Sequence, residues 1–200
     1  IMMTKNEKLK TYSLKEIPYY HIYGRTDETQ NPLPLFWNGS GIEVNVTGSE
    51  LWIDLDVDCS FHEPWIATEL NGAFMSRQML LPGSYSICLF RNMTFGVPKT
   101  MKFFRELQAM SEDDDCHVFV RGFRCDGEFL PVKEFKYKIE FIGDSITSGE
   151  STYGAISDTD WLTMYMSSSE NYATYTAKAL DADYRLISQG GWGVYCGWDN

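Results

Sequence analysis

The segment Gly143-Asp144-Ser145-Ile146-Thr147-Ser148-Gly149 closes an apolar run, and an apolar strand that ends in Gly-Asp-Ser presents a serine hydroxyl at an exposed sheet edge. That is a position for a nucleophile. A serine attacks an acyl carbon only with a base to take its proton, a group to orient that base, and donors for the oxyanion that forms. Ser145 supplies the hydroxyl and, through its own amide N–H, one donor. Gly191, in Gln189-Gly190-Gly191-Trp192-Gly193, offers a second N–H unshielded by any side chain. Such a donor is typically worth about 3 kcal/mol in the transition state. The base is the missing part, because no histidine occurs between Ser145 and Asn200. His21, His62 and His117 all precede Ser145, and His62 is the best placed of them, sitting in a loop beside Glu63.

Each of these residues also has a plainer reading. Ser145 could cap the segment that follows a strand-end Asp-Ser turn. Asp144 is expected to support that turn by accepting backbone N–H bonds rather than to take part in chemistry. Gly191 could answer only to the φ of a tight turn. Trp192 and Trp198 could wall the site or stack on a sugar, whereas Trp37, Trp52 and Trp65 read as core. The acidic run Glu112-Asp113-Asp114-Asp115 reads as a solvated loop, as do Asp158 and Asp160. Calcium binding by the run would need spaced oxygens and a glycine bend that it lacks.

The elements that must hold these residues differ in texture along the chain. From about Ile17 to Pro131 the sequence runs in short alternating segments rich in aromatic and β-branched residues, broken by Gly, Pro and Asn. That spacing predicts eight or nine antiparallel strands, for which the expected fold is a jelly-roll β-sandwich occupying residues 1–132. Asn71-Gly72 predicts a two-residue hairpin, and Thr47-Gly48-Ser49 a second tight connection. After Val132 the pattern changes. Phe135 to Ile142 reads as a strand of a parallel sheet, Ser167 with Glu170 as a capping box opening a helix through Leu180, and Tyr184 to Ser188 as a second strand. One βαβ unit puts Ser145 and Gly191 on the same sheet edge. Residues 133–200 therefore read as the beginning of an α/β domain, with open strand edges that further chain should cover.

Composition narrows the partners. A net charge of -11 disfavours nucleic acid and anionic membrane surfaces, whereas neutral ligands such as sugars fit. The five cysteines are scattered without metal-ligand spacing and read as reduced, Cys116 and Cys125 being the pair that a hairpin could bring together. No metal or organic cofactor is expected. The polar, mixed-charge start from Ile1 to Lys15 carries no secretory signal, which makes a cytoplasmic location the expectation.

Two blocks carry a family resemblance. Gly143-Asp144-Ser145-Ile146-Thr147-x-Gly149 resembles the first block of the SGNH, or GDSL-type, hydrolases, and Ile187-Ser188-Gln189-Gly190-Gly191-Trp192-Gly193 the second, in the same order. With a β-sandwich ahead of them and Gly24-Arg25-Thr26-Asp27 near the start, the chain is similar to carbohydrate esterase family two. The resemblance implies a three-layer α/β SGNH domain behind a jelly roll, and an acetylated carbohydrate as substrate. It also implies Ser145 as nucleophile, the N–H groups of Ser145 and Gly191 as oxyanion hole, and Asp144 as turn support. Two departures stand out: Gly190 replaces the serine expected before the oxyanion glycine, and the blocks carrying the family's asparagine and catalytic histidine have no counterpart here. The expectation is a chain truncated before its histidine block and inactive alone. The alternatives are a carbohydrate-binding module without catalysis, or an esterase or lipase acting on a non-sugar ester.

Overall fold

The computed structural model describes residues 9–197. Its strands are β1 (Lys10–Ser13), β2 (His21–Tyr23), β3 (Leu33–Leu35), β4 (Gly41–Val46), β5 (Leu51–Asp58), β6 (Trp65–Leu70), β7 (Ala73–Met79), β8 (Gly83–Phe90), β9 (Lys99–Arg105), β10 (His117–Cys125), β11 (Phe129–Leu130), β12 (Tyr137–Gly143) and β13 (Ala182–Ser188). Two α-helical segments, α1 (Ser145–Ser148) and α2 (Tyr172–Leu180), complete it.

One antiparallel sheet runs β1-β10-β5-β8 with β3 also on β10, and a second runs β11-β4-β9-β6-β7 with β2 also on β4. A single apolar core joins them, Leu33, Leu35, Ile53, Leu55, Val118 and Val120 from the first meeting Ile42, Val44, Ile66, Met101 and Phe103 from the second. Side chains alternate across each strand, so one face of β5 and β10 is buried while the other carries polar pairs. An example is Arg124 bridging to Asp54 at 2.8 Å. The Asn71-Gly72 connection between β6 and β7 has positive φ at both residues, 51° and 81°, as a type I′ hairpin requires. The stretch Thr47 to Ser49 does something else: it carries the chain from β4 in one sheet to β5 in the other, so it is a crossover and not a hairpin.

The expected fold class, a jelly roll followed by a three-layer α/β domain, is overturned. The described residues are mostly antiparallel sheet with little helix, in sheets of five, six and two strands. A three-layer domain needs helices over both faces of a parallel sheet, and β12 pairing with β13 beside one nine-residue helix does not make those layers. Nor do five- and six-stranded sheets match the eight strands of a double Greek key. The helix boundary is corrected too, since α2 is capped by Asn171, whose side chain accepts the Ala173 N–H at 2.9 Å. Ser167 instead lies buried against Gly149.

Buried polar contacts fasten the βαβ unit to the second sheet. Lys102 on β9 donates to the Tyr184 hydroxyl at 2.6 Å with its ammonium over the Tyr23 ring. The Glu106 carboxylate, fully buried, accepts the N–H groups of Ser168 and Ser169. All five cysteines are free; Cys116 and Cys125 flank opposite ends of β10 and cannot meet. No helix among the described residues is long and apolar enough to cross a membrane.

Candidate active site

Strands β12 and β13 are parallel and in register, with Gly143 opposite Ser188. Ser145 follows the first by two residues and Gly191 the second by three, so both sit at the carboxyl end of the pair. There the Gly143 carbonyl accepts the Gln189 N–H at 3.4 Å.

The Gly-Asp-Ser block folds as it does for local steric reasons. At Gly143 a Cβ would lie 2.1 Å from Thr147 Oγ1, one helical turn on. Asp144 is the N-cap of α1, its Oδ1 accepting the Ile146 N–H at 3.0 Å. Gly149 ends the turn at φ 73°, where a Cβ would meet the Ser167 carbonyl oxygen at 1.9 Å. Ser145 is the first residue inside this single turn and is half-buried.

Beneath the turn lies a closed polar cluster. Asn38 and Asn171 both donate to the Thr147 carbonyl, at 3.1 and 2.8 Å. Ser148 donates to Ser188 at 3.0 Å, and Ser188 to the Asn38 side chain at 3.0 Å. Asn38, Ser148 and Ser188 are fully buried, so each of these bonds avoids a stranded polar group.

The second turn is a β-turn from Gln189 to Trp192, closed by the Trp192 N–H on the Gln189 carbonyl at 3.2 Å. Gly191 has φ 79°, the value that a type II turn needs at its third position and that favours glycine. At Gly190 the demand is different: a Cβ would fall 1.7 Å from Glu150 Oε1. Among the described residues no backbone carbonyl takes the N–H of Ser145 or of Gly191.

The other residues singled out in the sequence lie as follows. His21 Nε2 is 3.0 Å from Asp183 Oδ1, at the amino end of β13 and about 16 Å along the strand from Ser188. His117 packs on Phe36 and Phe119, and burial pushes its imidazole pKa down. His62 pairs with Glu112 at 3.4 Å and meets the Trp161 ring edge-on at 5.3 Å. No hydrogen bond joins any of them to Ser145 among the described residues. Trp192 is half-exposed and stands edge to face with Trp37 at 6.5 Å, whereas Trp198 lies outside the described residues. Trp52 and Trp65 are half-buried. Arg25 of the Gly-Arg-Thr-Asp segment forks onto Glu140 of β12 at 2.6 and 2.7 Å. Asp158 accepts the Ala155 N–H, and Asp160 is exposed. The acidic run is not wholly solvated, because Asp113 is buried and accepts the N–H groups of Ser60, Phe61 and His62.

The residues that sequence reasoning missed are Asn38, Gln108 and Glu150. Gln108 Oε1 accepts the Gly190 N–H at 2.8 Å while its Nε2 donates to Glu150 at 3.3 Å, and Trp161 Nε1 donates to the same carboxylate at 3.1 Å. Nothing marks them in the sequence, since each acts on a partner far along the chain. Among the described residues no group of three or more His, Cys, Asp or Glu side chains gathers as a metal site. A cavity of about 510 Å³ lies at the opposite end of β13, where Lys178 pairs with Glu69, Lys133 with Asp181 and Tyr23 with Glu43. Its charges are already answered internally.

No protein-family model matches the chain. An acetyl xylan esterase from the rumen bacterium Butyrivibrio proteoclasticus superposes with a TM-score of 0.93 and 57% identity, over 96% of this chain and 52% of that one. A family two carbohydrate esterase from Clostridium thermocellum, solved with cellohexaose, gives 0.79 and 24%, over 90% of this chain and 54% of that one. The fold is that of the family two carbohydrate esterases. This match, over nearly the whole chain, replaces the jelly roll and three-layer expectation. A curated relative, the acetylxylan esterase / glucomannan deacetylase of Cellvibrio japonicus, is 26% identical over 196 residues, 91% of this chain and 49% of that protein. The chain thus spans about half the length of these relatives.

Proposed function

We propose that the protein is a serine esterase that removes acetyl groups from a carbohydrate. Ser145 attacks the acyl carbon. The N–H groups of Ser145 and Gly191 hold the oxyanion, while Asp144 keeps the turn in shape through the Ile146 N–H. The observation that carries this reading is the juxtaposition of two turns at one end of a parallel strand pair, one presenting a hydroxyl and each presenting an amide N–H that no backbone carbonyl takes among the described residues. The acetyl xylan esterase name of the 57%-identical structure supports the ester, and the cellohexaose complex of the Clostridium thermocellum structure supports a sugar partner.

The base in this reading is a histidine outside these 200 residues. It takes the Ser145 proton as the C–O bond to the acyl carbon forms, and returns it to the leaving sugar oxygen as the acyl-enzyme is made. Water, deprotonated by the same imidazole, then releases acetate and regenerates Ser145. Among the described residues none of His21, His62 and His117 hydrogen-bonds Ser145, and His21 meets Asp183 at the far end of β13, which is why none is assigned the task. A serine-directed phosphonate tests the assignment. Peptide mapping of the labelled full-length protein should place the adduct on Ser145, and an adduct elsewhere, or none, would remove Ser145 as the nucleophile.

A further inference from the structure

The two central residues of the turn from Gln189 to Trp192 are both glycines, and the N–H between them is that of Gly191. Types I and II of such a turn differ by a flip of this central peptide, which reverses the direction of its N–H. With a side chain at neither residue, sterics alone do not choose between the two. The observed φ of 79° at Gly191 is the type II choice. Something outside the turn must hold it.

Gln108 is placed to do so. It lies beyond the end of β9, is 1% exposed, and is anchored through its own carbonyl, which accepts Arg105 Nη2 at 2.8 Å. Its side-chain oxygen takes the Gly190 N–H at 2.8 Å, fixing the peptide that flanks the central one. Its side-chain nitrogen donates to Glu150, whose Oε1 presses onto the open face of Gly190 where a Cβ would otherwise stand. Glu150 itself follows directly from the Ser145 turn, its N–H bonded to the Ser145 carbonyl at 3.0 Å. One amide thus ties the nucleophile turn to the second turn.

We infer that Gln108, acting with Glu150, is the positioning residue that holds the Gly191 N–H in its oxyanion-binding orientation, compensating for the glycine at 190. This rests on the esterase reading for its catalytic meaning. The clamp itself can be tested without activity. Gln108→Leu removes both side-chain bonds at similar volume. Gln108→Glu places two carboxylates together. The swapped pair Gln108→Glu with Glu150→Gln restores an acceptor for Gly190 and a donor between the two side chains.

Amide hydrogen exchange of Gly190 in the full-length protein should rise at least about tenfold in Gln108→Leu and return toward wild type in the swapped pair. Acetate release should lose about 10- to 100-fold in kcat with KM within twofold in Gln108→Leu, and recover in the swapped pair. Circular dichroism and melting temperature identify variants that keep the fold. Unchanged Gly190 exchange in folded Gln108→Leu, or a loss confined to KM, would overturn the assignment. If wild type and Ser145→Ala release acetate equally, the esterase reading fails, and the exchange measurement still decides the clamp.

Discussion

Glycine at 190 leaves the space that the Glu150 carboxylate fills. The clash that a side chain would make is with the far end of Glu150, a flexible group, so Gly190→Ser would not break the backbone. It would push Glu150 away from Gln108 and Trp161, giving up two hydrogen bonds. We expect a stability loss of about 1–2 kcal/mol by urea denaturation, most of it absent when Glu150→Ala is already in place. Additive losses would contradict the contact. The same residue shows where sequence reading stops. Ser145, Asp144 and Gly191 could be picked out because strand-end Gly-Asp-Ser and paired glycines have local signatures. Gln108 and Asn38 could not, since Gln108 meets Gly190 from 82 residues away and Asn38 meets Thr147 from 109.

At the scale of elements, the loop after β5 depends on a single buried carboxylate. Burial pushes the Asp113 carboxyl up, but the N–H groups of Phe61, His62 and Ser60, together with the charge of the His62 ring, outweigh it and hold the group below its ordinary 3.8. The unfolded chain therefore binds the proton at higher pH than the folded one does. The stabilisation is fully present above about pH 4 and is lost as pH falls through the lower folded value. Asp113→Asn should lower stability at pH 7 by about 1–3 kcal/mol and make the fall in urea midpoint below pH 4 shallower. A fall parallel to that of wild type would exclude this role. Apolar-polar alternation made β4 and β5 legible, and Asn71-Gly72 fixed a hairpin through its two positive φ values. The crossover at Thr47 to Ser49 was illegible because a short Gly-containing link looks alike whether it returns within a sheet or passes to another. The cap of α2 was misplaced because Ser167 and Glu170 imitate a capping box, while the tertiary bonds of Asn171 to Thr147 decide where the helix begins.

Over the whole molecule, apolar burial is unevenly shared. The main core draws on residues up to Phe129, whereas the cluster around Ala173, Ala177, Tyr184 and Leu186 borrows Tyr23 from β2. We propose a division near residue 132 on this basis, with a consequence for folding. Residues 1–132 alone should unfold cooperatively in urea, and residues 133–200 alone should show no cooperative transition, since their core and the ligands of Glu106 and Lys102 are shared with the sheets. Absence of a cooperative transition in residues 1–132 would refute the division, and a cooperative transition in residues 133–200 would contradict the shared core. Fold class was the part least legible from sequence, because strand count and the Gly-Asp-Ser block suggested two familiar architectures in series while the strand pairing gives sheets of five, six and two. The central claim, that Ser145 is the nucleophile of a carbohydrate deacetylase, is tested most directly by acetate release from acetylated xylo-oligosaccharides by the full-length protein and its Ser145→Ala variant. The account predicts a loss of at least about 10³-fold in kcat in a variant that still binds the sugar; equal rates would contradict it.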